Sequence, residues 1–136
     1  MKRMLTPLLS VAVALVAGCG IGPHVDDYTD ALVASAVASC ACGGLTYSSE
    51  EECRAEFPPD GGDQACLEAL FKNADGDFEG HLDCRAAAHN RAAACANAKT
   101  CTDLARLGCL TQLVDELEDC PALPAEIQRD HDECLN

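Results

Sequence analysis

Cys84-Arg85-Ala86-Ala87-Ala88-His89-Asn90-Arg91-Ala92-Ala93-Ala94-Cys95 and Cys109-Leu110-Thr111-Gln112-Leu113-Val114-Asp115-Glu116-Leu117-Glu118-Asp119-Cys120 are each bounded by cysteines eleven positions apart. Eleven residues on an α-helix make three turns to within about 20°, so each stretch carries both its thiols on one face. From Phe78 to Lys99 the chain is alanine-rich and free of glycine and proline after Gly80, a strong helix by propensity. Thr100 and Asp103 give a capping signal for the next helix, in which Leu104, Leu107, Leu110, Val114 and Leu117 keep one face apolar. Pro121 stops it. Two antiparallel helices joined near residue 102 face each other where residue numbers add to about 204. Cys84 with Cys120 and Cys95 with Cys109 both meet that condition. The spacing therefore predicts bridges Cys84–Cys120 and Cys95–Cys109 clamping an αα-hairpin over 78–99 and 103–119.

Working outward, Asp26 and Asp27 place negative charge at the start of a first helix, where the dipole favours it. Tyr28, Leu32, Val33, Ala36, Val37 and Cys40 follow at helical spacing, and Gly43 is expected to end that helix as a left-handed cap. Ser48 with Glu51, or Ser49 with Glu52, can form a capping box for a short second helix. The triplet Glu50 to Glu52 then reads as a dipole complement rather than a cation site. Phe57 closes that helix, Pro58 to Gly62 is a loop, and Asp63 can cap a third helix through Cys66, Leu67, Leu70 and Phe71. Asn73 and Gly76 end it. Pro124 suits the first turn of a last short helix with Ile127, His131 and Cys134 on one side. No segment alternates like a strand. The sequence predicts an all-α, disulfide-stapled bundle of about five helices.

The N-terminus carries a different message. Lys2 and Arg3 precede an apolar run, Met4 to Val16, that stops after about thirteen residues, well short of the ~20 a spanning helix needs. Small residues follow, which is the layout of a secretory signal peptide. Through Val16-Ala17-Gly18-Cys19 the chain resembles the bacterial lipoprotein family. The resemblance implies a diacylglyceryl group on the Cys19 thiol, cleavage before it, and acylation of the new amino group by a chain such as palmitate. Gly20 stands where an aspartate would imply inner-membrane retention, so the resemblance implies outer-membrane delivery. The organisation expected is a signal over 1–18, a lipidated tether over 19–24 and a cysteine-rich helical domain over 25–136.

Removing residues 1–18 of 136 leaves 118, enough for one small domain, and loss of two basic residues takes the formal charge from −14 to −16. So acidic a chain argues against nucleic acid as a partner, favours solubility and admits cationic partners. Eleven cysteines is an odd number. With Cys19 used by lipid, ten remain for five bridges, a disulfide framework by density in an oxidising compartment. With no tryptophan and few aromatics the core is light and needs such staples. Beyond the hairpin, Cys42 and Cys53 flank a turn and are expected to close it, leaving Cys40–Cys66 and Cys101–Cys134.

The two hairpin pairs are similar to the twin-cysteine helical hairpins of small disulfide-carrying proteins, with ten rather than nine residues between the cysteines of each pair. The chain as a whole is similar to the short, cysteine-rich helical lipoproteins of gliding soil bacteria, through Cys40-Ala41-Cys42, evenly spread cysteines and Cys120-Pro121-Ala122-Leu123-Pro124. That likeness implies architecture and location and no activity.

Five features of the sequence bear on chemistry. There is no Cys-x-x-Cys, which removes the usual zinc, thioredoxin and haem signals. Cys40 and Cys42 could chelate a soft metal or act as a redox pair, with His81 as a further ligand, although two structural half-cystines are the simpler expectation. His81 and His89 lie eight apart on one helix, about 80° from a common face, and His81 sits three residues from Cys84. Asn73, Asp75, Asp77 and Glu79 alternate like a calcium loop, but Phe78 and Cys84 occupy the positions that need glycine and glutamate. Ser35, Ser39, Ser48 and Ser49 lack the glycines of a nucleophile elbow. The sequence predicts a membrane-anchored, non-enzymatic binding or structural module without cofactor or resident metal.

Overall fold

The computed structural model describes residues 20–41, 48–56, 61–98 and 103–136, in which helices are joined by short turns. The elements are α1 (Gly22–Cys40), α2 (Glu50–Ala55), α3 (Gly61–Asn73), α4 (Glu79–Ala98), α5 (Asp103–Glu118) and α6 (Ala125–Cys134). Among the described residues six helices stand where about five were expected. Among the described residues there is no strand.

Helix α1 begins four residues before Asp26, at Gly22, with Pro23 in its first turn. Proline there costs no hydrogen bond, because the first helical N–H groups have no intrahelical acceptor. The expected tether over 19–24 is thus helical from Gly22 onward. Helix α2 uses the second of the two capping choices. Ser49 Oγ accepts from Glu52 N–H at 3.1 Å, and the Glu52 carboxylate accepts from Ser48 N–H at 2.9 Å and from the Ser48 hydroxyl. Those donors hold the Glu52 carboxyl below its usual range. Asp63 lies inside the first turn of α3 rather than ahead of it.

The core is built on α1 and α4, which run side by side in the same chain direction, His24 meeting Asp83 and Ser35 meeting His89 one after the other. Ala31, Ala38, Ala86, Ala88 and Ala93 are buried between helices and let the backbones approach closely. Val25, Tyr28, Leu67 and Leu82 are fully buried, and Phe71 packs against Phe78 with ring centres 5.3 Å apart. Each aliphatic among them contributes about 1.5–3 kcal/mol. Gly76 connects α3 to α4 at φ +152°, and a Cβ there would stand 2.7 Å from the Phe78 ring. Only glycine allows that turn.

Among the described residues four bridges join the helices: Cys40–Cys53, Cys66–Cys134, Cys84–Cys120 and Cys95–Cys109, with Cα separations of 5.5, 5.6, 5.7 and 5.7 Å respectively. The hairpin pairs are those that helix periodicity requires. The other expected pairs need correction. Cys42–Cys53 and Cys40–Cys66 do not form, because Cys40 ends α1 on its buried face, directly against the buried Cys53 of α2. Cys101–Cys134 does not form, because α6 packs on α3 and brings Cys134 to Cys66, 68 positions away. Cys19, Cys42, Gly43, Phe57, the loop at 57–60, Thr100 and Cys101 lie outside the described residues.

The apolar face of α5 also falls elsewhere than its pattern suggests. Cys109 and Cys120, three turns apart, aim one face of α5 at α4. Leu110, Val114 and Leu107 lie about 100–160° around from Cys109. They stand at 53, 48 and 62 % exposure.

Candidate functional site

Three histidines come together inside the bundle. His81 and His89 project from α4 and His131 from α6, and all three are buried. Although 80° apart on the wheel, His81 and His89 are both enclosed, because α1 covers one flank of α4 and the Pro121 segment with α6 covers the other. His81 meets His131 edge-on at 6.3 Å between ring centres. Tyr28 of α1 stacks on His131 at 5.9 Å and tilts against His89 at 6.1 Å. Arg85, one turn from each α4 histidine, places its guanidinium 5.9 Å above the Tyr28 ring.

The partners fix the tautomers. The Pro121 carbonyl can only accept, so His81 Nδ1–H donates to it at 2.5 Å. Ser35 gives its hydroxyl proton to Leu32 O at 2.9 Å, so His89 Nδ1–H donates to Ser35 Oγ, also at 2.9 Å. His131 Nδ1–H donates to the Asp132 carboxylate at 3.2 Å, which leaves its Nε2 to accept from the Tyr28 hydroxyl at 3.2 Å. All three rings are neutral Nδ1–H tautomers with Nε2 bare. The Nε2 atoms of His81 and His89, and Nε–H of Arg85, find no hydrogen-bond partner among the described residues.

Burial is the main reason these rings stay neutral. It drives His89 down to about 4, with the Arg85 charge acting in the same direction. It also lowers His81 and His131, against the opposing bonds to Pro121 and Asp132. The same burial pushes the Tyr28 phenol up, partly offset by Arg85.

This cluster is a buried group of neutral rings around the half-buried Arg85 cation. It is not arranged for nucleophilic catalysis, since the Ser35 proton points at Leu32 O and His89 donates to that oxygen instead of accepting from it. Nor does it unite the metal ligands considered from sequence. Cys40 is bridged to Cys53, so the Cys40/Cys42 pair is not a free dithiol. Cys84 is bridged to Cys120, so it cannot share an ion with His81. Among the described residues no three His, Cys, Asp or Glu side chains stand close enough to hold a metal. His24 lies apart on the surface, 2.6 Å from Asp83 and 3.7 Å from Glu79, and the Asp83 bond raises its pKa.

Sequence reading weighed His81 with His89, and Ser35 as a nucleophile, but missed the meeting of these residues with His131, and missed Arg85 and the Tyr28 hydroxyl. The available signal was Arg85 midway between two histidines at four-residue spacing on an otherwise alanine-rich helix. Compared with protein-family models, curated proteins and solved structures, the chain finds no match.

Proposed function

We propose that this chain is an exported lipoprotein of the cell envelope, held at the outer membrane through Cys19 and acting as a non-enzymatic binding module. The observation that carries the reading is the bridging of eight of the eleven cysteines in four disulfides. Such a framework belongs to an oxidising compartment. The signal-like segment 1–18 and the lipobox ending at Cys19 agree with that destination. A diacylglyceryl group with an N-acyl chain supplies more than one acyl anchor, which is what stable membrane attachment takes. No helix among the described residues is long and apolar enough to cross a membrane, so lipid is the anchor this reading relies on.

Intact mass of the protein purified from its native membrane tests it. The expected chain begins at Cys19, carries a diacylglyceryl and an acyl adduct, and lacks ten hydrogens. Peptide mapping is then expected to join Cys42 to Cys101, the pair left after the four bridges and the lipid. Retention of residues 1–18 with an unmodified Cys19 contradicts the anchor, and several alkylatable thiols contradict the compartment.

A further inference from the structure

Helix α5 is clamped to α4 along one face and open along another. Leu107, Leu110 and Val114 form a stripe at helical spacing, about half or more of each side chain in solvent, with Leu113 and Leu117 half-buried along its inner edge. These are the exposed large hydrophobics of the described chain. A stripe of that pattern is one half of a helix–helix contact.

Charge selects the other half. The outer edge of the stripe carries the exposed carboxylates Glu118 and Asp115. Among the described residues the nearby cations are committed within the chain: Arg91 to Glu116 at 2.7 Å and Arg106 to the Ser39 carbonyl at 2.8 Å. At −14 overall, a second copy or an anionic lipid surface meets this face with like charge. We propose that the Leu107–Leu110–Val114 face of α5 docks a cationic amphipathic helix of a partner protein, leucine-type side chains on the stripe and Lys or Arg on Asp115 and Glu118. This rests on the binding-module reading but not on the anchor: one is read by affinity and the other by mass, so each fails separately.

The probe is a synthetic 18-residue peptide of Leu and Lys patterned at helical period and fluorescently labelled, titrated against the oxidised full chain. Its counterpart has Glu in place of every Lys. The Lys peptide is expected to bind, to gain helicity on binding, and to weaken at least tenfold between 0.05 and 0.5 M salt, as screened charges require. The Glu peptide is expected not to bind. Leu110→Ser with Val114→Ser is expected to cost at least tenfold in affinity, and Asp115→Asn with Glu118→Gln about threefold or more. Asp27→Asn with Asp30→Asn, which removes the same charge from the exposed flank of α1, is expected to change affinity less than twofold. All of these positions are exposed, and circular dichroism verifies that the fold is kept. Equal losses at the α1 and α5 pairs would mean general attraction to an acidic surface and overturn the proposal. So would binding that survives the two serines, capture by anionic lipid vesicles, or salt-strengthened self-association that Leu110→Ser abolishes.

Discussion

The two flanks of α4 are held by different physics. Toward α1 and α6 it buries Leu82, Ala86, Ala88, His81 and His89 in a closed interior with Tyr28, Phe71 and His131. Toward α5 it is joined at two points by Cys84–Cys120 and Cys95–Cys109, while Leu107, Leu110 and Val114 of α5 face outward. One flank is a core that holds itself by area removed from water. The other is an arm held by covalent staples. A thin, alanine-rich chain can thus keep an apolar helix face in solvent without the face collapsing inward.

The comparison is broken most severely at the longest ring. Cys66→Ser with Cys134→Ser releases a 68-position loop and is expected to cost about 4 kcal/mol, with the shorter Cys95–Cys109 ring nearer 3 kcal/mol, in denaturant unfolding. Because His131 sits on α6 beside Cys134, the same variant is expected to return its pKa toward the ordinary imidazole value in an NMR titration. Next comes the core flank: Leu82→Ala is expected to cost about 2–5 kcal/mol with all bridges intact. Leu107→Ala, on the arm, stays within about 0.5 kcal/mol. Equal costs at the two leucines would erase the distinction between the flanks. Gly76→Ala is intermediate, about 1–3 kcal/mol, since it strains a φ of +152° and drives a Cβ into Phe78.

Acid sharpens the same contrast. His81, His89 and His131 are depressed in the folded state relative to the unfolded value of 6.5, so the unfolded chain binds more protons. Their neutral burial costs nothing extra above pH 6.5, and stability falls as pH drops from there toward about 4, the value of His89. The slope is about 1.4 kcal/mol per pH unit for each proton taken up. His24 acts oppositely: raised by Asp83, its contribution is present below 6.5 and lost as pH rises through its folded value. His89→Leu is therefore expected to flatten the acid limb of a urea-midpoint profile from pH 7 to 4, and His24→Asn to steepen it slightly. An acid limb unchanged by His89→Leu would contradict the burial of His89 as a neutral ring.

The hairpin was legible in the sequence because helix period and disulfide reach together leave one solution for four cysteines. The all-α class followed from propensity and from the absence of alternation. The remaining bridges were not legible, because nothing near Cys40 or Cys66 in sequence says that α2 folds back on the end of α1, or that α6 returns to α3. The histidine cluster was hidden for the same reason: Tyr28 and His131 are 103 positions apart, and only packing brings them together. The outward turn of Leu107, Leu110 and Val114 was hidden behind a pattern that ordinarily marks a core face. There the bridges, and not the leucines, decide which way the helix looks.

Hydrogen exchange, resolved by peptide, on the oxidised chain and on a Cys84→Ser/Cys120→Ser/Cys95→Ser/Cys109→Ser chain tests the central claim most directly. The account predicts that α5 amides lose their protection while α1 and the first two turns of α4 retain theirs. Protection lost from both flanks together, or kept in α5 without its bridges, would contradict it.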